Sequence, residues 1–209
     1  MTVKGLVVIF RHGETPYSKK HWLTGRVNVP LTKPTGEDQA RGIGRKVAGI
    51  AFDAALSSPL PRAVNTTELA LEASGSNEHL RKPDGTWDIE LCEDIIEGDS
   101  GDFSGHSASE PMVMNYPHGY DIPLPNGESD KQIVERVHRF IENKIIPRML
   151  RGEKVAVGAH AGVLAVFNVA AGLEPPPTEA IWPNRGQIPT ATPVVYEFED
   201  GKIVNHYRL

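Results

Sequence analysis

The chain has 209 residues, of which 39% are hydrophobic and 23% charged, and its formal net charge is −5 at pH 7. This composition excludes a disordered chain, the negative charge disfavours a nucleic-acid-binding surface, and no apolar run approaches the roughly 20 residues that cross a bilayer. Cys92 is the single cysteine, and the amino terminus lacks a signal-peptide pattern. We therefore expect a cytoplasmic protein with one domain, residues 1–209, that binds neither nucleic acid nor membrane.

An apolar run near the amino terminus stops abruptly at a charged pair. Residues 6–10 are apolar and rich in β-branched types, and Arg11, His12 and Gly13 follow them directly. Such a run predicts a buried central strand, and ligand sites in open α/β sheets lie just beyond the carboxyl ends of such strands. Arg binds phosphate oxygens bidentately, and His can act as a nucleophile or carry a proton. The sequence therefore predicts an anion site at this strand end.

After this strand the pattern alternates between helix and strand. The first loop is polar and contains Ser18, Thr24, Gly25 and Arg26. A helix is predicted over 35–50, with Thr35 and Asp38 forming a capping box at its start. A second strand over 52–56 then leads into a helix over 60–73.

A long polar passage separates the two halves of the chain. It runs from residue 91 to about 127, and its prolines and glycines favour irregular structure; we expect a lid or specificity region over about 102–125 within it. Ser129 with Gln132 then predicts a capping box, and the clearest amphipathic helix of the chain follows.

The carboxyl-terminal part contains a second buried-strand pattern that ends at a histidine. Residues 155–159 are followed by His160, and another helix begins near Gly162. A strand over 192–198 and a hairpin signal come last. The alternation predicts a three-layer α/β/α sandwich, with a mostly parallel central sheet and an antiparallel edge strand.

The chemistry-bearing side chains fit phosphoryl transfer through a phosphohistidine. They follow strand ends or lie in the irregular passage: Arg11, His12, Arg62, Glu97 and His160. In this interpretation His12 attacks phosphorus, while the two arginines and His160 stabilise charge on the phosphoryl oxygens. Glu97 gives a proton to the leaving alkoxide, and backbone N–H groups at the helix near Gly162 add to the anion site. The interpretation requires no metal, and the sequence lacks the paired histidines of common metal motifs.

Several motifs carry a family resemblance through their order and spacing. They are Arg11-His12-Gly13-Glu14-Thr15, Leu23-Thr24-Gly25, Ser57-Ser58-Pro59-Leu60-Pro61-Arg62, Pro125-Asn126-Gly127-Glu128-Ser129 and Ala159-His160, with a tail over 188–197. Together they resemble the histidine phosphatase superfamily and, within it, the short form of the cofactor-dependent phosphoglycerate mutases. The resemblance implies 2,3-bisphosphoglycerate as the phosphoryl donor, a small phosphorylated acid as the substrate, and a homodimer or homotetramer. It also implies that the first loop binds the substrate, through Ser18, Thr24, Gly25 and Arg26.

The chain departs from the mutase pattern mainly in the predicted lid. In these mutases a lysine and an arginine pair hold the remaining charges of the substrate, but the alignment puts Ala108 at the lysine and Pro117 and His118 at the arginines. The usual asparagine of the first loop is Ser18. Arg26 stands where the family has an aromatic residue, and it is the candidate for restoring some of the lost positive charge.

Three functions stay open on this basis: a mutase, a phosphatase in which water accepts the phosphoryl group, and a non-catalytic binder of phosphorylated ligands. The missing lid cations favour the phosphatase and the tail favours the mutase, whereas the complete set of two arginines and two histidines disfavours the binder. Glu97 has the family's spacing before the Gly-x-aromatic-x-Gly stretch that begins at Gly101, and Glu93 is the alternative proton donor.

Overall fold

The computed structural model describes residues 1–181 and 188–209. The strands in these residues are β1 (Lys4–Arg11), β2 (Ala54–Ser57), β3 (Ile89–Leu91), β4 (Lys154–Ala159), β5 (Pro193–Glu199) and β6 (Lys202–Arg208). They form one sheet in the order β3-β2-β4-β1-β5-β6. The first four in this order run parallel, and β5 pairs antiparallel with both β1 and β6.

The helices of the described residues are α1 (Pro16–Lys19), α2 (Thr35–Lys46), α3 (Pro61–Ser74), α4 (Pro111–Met114), α5 (Asp130–Phe140), α6 (Ile146–Met149) and α7 (Ala161–Ala170). A π-helical turn, Ile141–Ile145, joins α5 to α6, and 3-10 turns cover Glu78–Leu80, Glu93–Ile95 and Gly101–Phe103. None of the helices within 1–181 and 188–209 has the length and apolar character that a membrane span requires.

The residues of β1 alternate between two helical layers. Val7 and Ile9 pack in a cluster with α5 and α7, whereas Val8 and Phe10 pack in a second cluster with α2 and α3. All four side chains are buried, because β1 is central and covered on both faces. The predicted three-layer α/β/α sandwich is confirmed. The sequence predicts one antiparallel strand at the edge of the sheet. In the structure the antiparallel strand β5 lies one position in from the edge, because β6 pairs with its outer side.

Two predicted capping boxes have opposite outcomes. At α5 the Ser129 hydroxyl accepts the Gln132 N–H (3.2 Å) and the Gln132 amide oxygen accepts the Ser129 N–H (2.8 Å), as predicted. The capping box at Thr35 is wrong, because Pro34 occupies the N-cap position and has no side-chain acceptor. The Thr32 hydroxyl instead accepts the N–H of Gly36 at 3.1 Å, reaching the helix start from the preceding loop.

The predicted lid region has a small hydrophobic cluster of its own. Phe103, Val113 and Leu124 are buried together, and the segment around them contains a 3-10 turn and α4. This cluster holds the segment to a compact shape without extending the main sheet. That the segment closes over a ligand stays a prediction.

Candidate active site

The site lies at the carboxyl ends of adjacent parallel strands. Arg11 at the end of β1 is in register with Ala159 at the end of β4, so His12 and His160 follow neighbouring strands. Their ring centroids are 5.2 Å apart at an interplanar angle of 63°. The two histidines, which are far apart in the sequence, therefore meet at one edge of the sheet, as the strand-end rule predicts.

The contacts of His12 define which ring nitrogen carries the proton. Nδ1 lies 2.7 Å from the carbonyl oxygen of Gly13, which only accepts, and Arg62 Nε donates to Nε2 at 3.2 Å. Nδ1 is therefore protonated, and Nε2 is the unprotonated nitrogen, whose lone pair accepts the hydrogen bond from Arg62. Burial, reinforced by the charges of Arg62 and Arg11, holds the pKa of His12 well below its usual value, so the ring is neutral at pH 7.

Arg62 is fully buried, and each nitrogen of its guanidinium donates a hydrogen bond. Besides the contact with His12, Nη2 donates to the carbonyl oxygen of Gly25 and Nη1 to that of Val27, both at 2.8 Å. Burial lowers the pKa of Arg62 to about 10, although the charge of Glu97 opposes this shift. Arg62 is therefore a cation at neutral pH that connects the nucleophile candidate to the first loop.

His160 has one satisfied and one unsatisfied ring nitrogen. Its Nε2 lies 2.7 Å from the hydroxyl of Ser58, which also accepts the N–H of Leu60 at 3.3 Å. Nδ1 is buried and has no hydrogen-bond partner among the residues that the structure describes. Burial and the neighbouring charge of Arg62 lower the pKa of His160 well below its usual value. Ser58 belongs to one of the sequence motifs but had no predicted role, although its position directly after β2 was the signal that could have identified one.

Glu97 faces both arginines and the start of α7. Its Oε1 accepts the N–H groups of Gly98 (2.8 Å) and Gly162 (3.1 Å). Arg11 donates from Nη1 to the carbonyl oxygen of Ile188; burial lowers the pKa of Arg11, and the charge of Glu97 opposes that shift. Of the two proton-donor candidates, Glu97 lines the cavity described next, whereas Glu93 is exposed in a 3-10 turn and is not among the lining residues.

A cavity of about 500 Å3 opens in front of His12. The predicted site residues on its wall are Arg11, His12, Ser18, Thr24, Gly25 and Glu97. Ala108 reaches the same wall from the lid region, but Pro117 and His118 are not among the lining residues. Lys19, His21 and Trp22 also line the cavity; the sequence analysis did not assign them, although they directly follow Ser18 in the loop that it singled out. Within the described parts of the chain, no group of three or more His, Cys, Asp or Glu residues is arranged to hold a metal ion.

The structure does not bring Arg26 to the cavity wall. Its guanidinium pairs with Glu128 at 2.9 Å and with Asp99 at 3.8 Å, and it also donates to the carbonyl oxygen of Glu97 at 3.4 Å. These acidic partners already neutralise its charge. Arg26 is therefore not placed as the replacement for the missing lid cations that the sequence suggested.

The two buried, neutral histidines predict a loss of stability in acid. In the unfolded chain both rings take up protons near the ordinary pKa of about 6.5. The contribution of these rings to the free energy of unfolding is therefore constant above that pH and decreases as the pH falls below it. Each of His12 and His160 should contribute a slope of up to about 1.4 kcal/mol per pH unit. Urea unfolding of the wild type and of His160→Gln at about pH 6.5 and about pH 5.5 checks this, because the variant should lose roughly 1 kcal/mol less over that interval. Equal losses would contradict it.

Comparisons with known proteins bear on the family and the fold. Residues 7–207 match the family model described as histidine phosphatase superfamily (branch 1). A relative from Parvibaculum lavamentivorans, named 2,3-bisphosphoglycerate-dependent phosphoglycerate mutase, is 35% identical over 206 residues, which cover 93% of this chain and 91% of that protein.

Two solved structures share the architecture. Phosphoglycerate mutase from Bacillus anthracis superimposes with a TM-score of 0.74 at 18% identity, covering 97% of this chain and 92% of that one. A putative alpha-ribazole-5'-P phosphatase from Escherichia coli K-12 gives a TM-score of 0.73 at 22% identity, covering 98% and 95%. These likenesses show the fold, and the family match confirms the resemblance carried by the sequence motifs. This chain belongs to branch 1 of the histidine phosphatase superfamily.

Proposed function

We propose that the protein transfers a phosphoryl group through a phosphohistidine at His12, in a reaction of the phosphoglycerate mutase type. The observation that carries the proposal is the state of the His12 ring: Nδ1 donates to the Gly13 carbonyl oxygen, and Nε2 is unprotonated, with only the Arg62 N–H to give up when it bonds to phosphorus. A neutral imidazole held in this way needs no general base to become a nucleophile.

The first half-reaction forms one bond and breaks one. His12 Nε2 attacks phosphorus, the bond from phosphorus to the ester oxygen breaks, and the Glu97 carboxyl group delivers the proton that the leaving oxygen takes up. Arg11 and Arg62 supply positive charge to the phosphoryl oxygens, and the unsatisfied Nδ1 of His160 lies in the same buried region. In the second half-reaction an acceptor hydroxyl gives its proton to Glu97 and takes the phosphoryl group, which regenerates His12.

The cavity fits a small substrate that carries a second acidic group. Lys19 and His21 line it together with Arg11, and no described residue forms a salt bridge with Lys19. His21 has φ of +57°, a conformation that is unfavourable for residues with a side chain and that recurs at binding sites. These residues would hold the carboxylate of phosphoglycerate or the second phosphate of 2,3-bisphosphoglycerate, the donor in the name of the relative, which would supply the phosphoryl group for His12.

A phosphatase is the second candidate, and the composition of the lid wall favours it. Ala108 places a methyl group on the cavity wall where the mutase pattern has a lysine, and Pro117 and His118 are not among the lining residues. With fewer cations on this side, a phosphorylated product is held less strongly, which favours its exchange for water.

The test is product analysis with 3-phosphoglycerate in the presence and absence of 2,3-bisphosphoglycerate, beside a panel of phosphomonoesters. Isomerisation to 2-phosphoglycerate without phosphate release supports the mutase. Inorganic phosphate as the main product supports the phosphatase. Binding of these ligands without either product, and without acid-labile label on the protein, would overturn the proposal in favour of a non-catalytic binder.

Lys19→Ala is expected to discriminate between substrates by their charge. It should lower kcat/KM for 3-phosphoglycerate by roughly tenfold, because one exposed charge contact to the second acidic group is lost. Activity toward p-nitrophenyl phosphate, which has no second acidic group, should change little. Lys20→Ala is the matched control, since the Lys20 ammonium lies over the Trp22 ring at 4.3 Å and Lys20 is not a lining residue. An equal effect of Lys19→Ala on both substrates would contradict the assignment.

A further inference from the structure

The segment that carries Glu97 lacks regular secondary structure where precise placement matters most. Residues 96–99 form neither helix nor strand, although Glu97 lies on the cavity wall beside His12. A proton donor loses efficiency when it is displaced by even about 1 Å, so a loop carboxylate needs supporting contacts. Residues 94–99, the Glu97 segment, receive these contacts from the neighbouring elements.

Both ends of the Glu97 segment are bound to one charged pair. Arg136 donates from Nε and Nη2 to the two carboxylate oxygens of Glu128, at 3.2 and 3.1 Å. Its Nη1 donates to the carbonyl oxygen of Asp94 at 2.9 Å, and Glu128 Oε2 accepts the N–H of Asp99 at 3.0 Å. The carbonyl oxygen of Asp99 also accepts the backbone N–H of Glu128 at 3.0 Å. The ion pair thus fixes the backbone three residues before Glu97 and two residues after it.

Arg26 adds a contact at Glu97 itself. Its Nη2 pairs with Glu128 Oε1 at 2.9 Å, while its Nε donates to the Glu97 carbonyl oxygen at 3.4 Å. Arg26, Glu128 and Arg136, called the Glu128 network below, therefore reach the beginning, the middle and the end of the Glu97 segment. None of the three lines the cavity.

The environment keeps this network charged. The Arg136 and Glu128 side chains are only 7% and 17% exposed, so solvent screens their attraction less than at an open surface. Burial alone would raise the pKa of Glu128, but Arg136, the Asp99 N–H and Arg26 together hold it below its usual value. Glu128 is thus an anion between two cations, and removal of its charge would leave Arg136 without its carboxylate partner.

We propose that Arg26, Glu128 and Arg136 are positioning residues that hold the Glu97 carboxyl group in place for proton transfer to the leaving oxygen. This inference rests on the proposed function, in which Glu97 is the proton donor. It gives Arg26 a role different from the substrate contact that the sequence suggested.

The test compares two monophosphate esters that differ in their need for a proton. Phenyl phosphate must expel phenol, whose pKa of about 10 resembles that of a tyrosine side chain. A dinitrophenol is a stronger acid than phenol by about three orders of magnitude or more, so it leaves as an anion without a proton. Only the cleavage of phenyl phosphate therefore depends on a general acid. Release of the phenol in the first turnover reports cleavage of the ester bond at His12, whichever acceptor follows. Neither ester has a second acidic group, so substrate-charge contacts do not enter the comparison.

Glu97→Gln provides the reference and Glu128→Gln the test. Glu97→Gln should lower the rate of phenyl phosphate cleavage by about 100-fold and that of 2,4-dinitrophenyl phosphate cleavage by no more than roughly threefold. Glu128→Gln should slow phenyl phosphate by roughly tenfold and leave the dinitrophenyl ester within about twofold. The matched control is Glu153→Gln, because Glu153 also pairs with two arginines, Arg148 and Arg151, but is not among the residues of the site.

The outcomes separate the inference from the proposed function. If Glu97→Gln does not discriminate between the esters, the proton-donor assignment itself is wrong. If Glu97→Gln discriminates but Glu128→Gln slows both esters equally or neither, the proposed function stands and the positioning role is wrong. The urea-unfolding midpoint of Glu128→Gln establishes separately that the variant is folded at the assay temperature, so that equal slowing of both esters counts against the positioning role.

Arg26→Met distinguishes the two roles of Arg26 directly. A positioning role predicts that Arg26→Met lowers the cleavage rate of phenyl phosphate more than that of the dinitrophenyl ester, as Glu128→Gln does. It also predicts that activity with 3-phosphoglycerate falls no further than in Glu128→Gln. A direct substrate contact predicts an increase in KM for 3-phosphoglycerate and no change in the ratio between the two aryl esters, and that result would overturn the inference for Arg26.

Discussion

Replacing His12 with glutamine is expected to lower phosphoryl transfer by about 10⁴-fold or more, because no other group in the site can take over its role as nucleophile. Glutamine keeps a polar side chain of similar length, so the effect reports the missing nucleophile rather than a gross loss of packing. The measurement is initial rates together with labelling by a phosphate donor, in which the wild type should carry an acid-labile phosphoryl group and the variant none.

The matched control for this prediction is His79→Gln. His79 is also a histidine with one ring nitrogen bound to a backbone carbonyl, that of Phe52 at 2.7 Å, and it is not among the cavity-lining residues. Its replacement should leave both the rate and the label unchanged. Full activity of His12→Gln, or label that persists in this variant, would disprove the phosphohistidine mechanism.

Arg62→Met is expected to lower both activity and stability. Loss of the fixed positive charge beside the phosphoryl group should reduce kcat/KM by about 10²- to 10³-fold. The buried carbonyl oxygen of Gly25 would lose its donor, at a cost of roughly 1 to 3 kcal/mol, whereas that of Val27 is only partly buried and should cost less. Relief from burying the Arg62 cation offsets part of this cost, so urea unfolding should show a decrease of about 1 to 2 kcal/mol in the free energy of unfolding.

Arg62→Lys separates charge from hydrogen-bonding geometry. A lysine keeps the positive charge, but a single ammonium cannot reproduce the planar arrangement that serves His12, Gly25 and Val27 at once. We expect this variant to regain part of the rate lost in Arg62→Met while remaining less stable than the wild type. Arg148→Met is the control, because Arg148 pairs with Glu90 and Glu153 outside the cavity and should cost about 1 kcal/mol or less. If Arg62→Met behaves like this control, the role of Arg62 is wrong.

The strand-end residues could be predicted from the sequence because their signals are local. A buried central strand appears as a short apolar run, and the residue type that follows it is read directly from the chain. Arg11, His12 and His160 were located in this way, and the parallel pairing of β1 with β4 then brought them together. The capping box at Ser129 is equally local, since its two hydrogen bonds join residues three positions apart.

Other features depend on contacts between distant segments. Sequence reasoning placed Arg26 beside the substrate because it follows Thr24 and Gly25, but acidic partners from elsewhere in the chain hold its guanidinium away from the cavity. The cap of α2 came from Thr32 rather than Thr35, because the loop before the helix approaches its first turn. Strand β3 was missed because three residues at a sheet edge are too short for a periodic pattern.

The layers of the fold, the strand-end pair Arg11 and His12, and the residue types needed for phosphoryl transfer can all be inferred from local sequence patterns. The unprotonated nitrogen of His12, the contact of His160 with Ser58 and the pairing of Arg26 with Glu128 became evident only in the folded chain. This difference arises because hydrophobic periodicity is a property of neighbouring residues. Protonation and side-chain pairing, by contrast, are set by burial and by charges that meet only after the chain has folded.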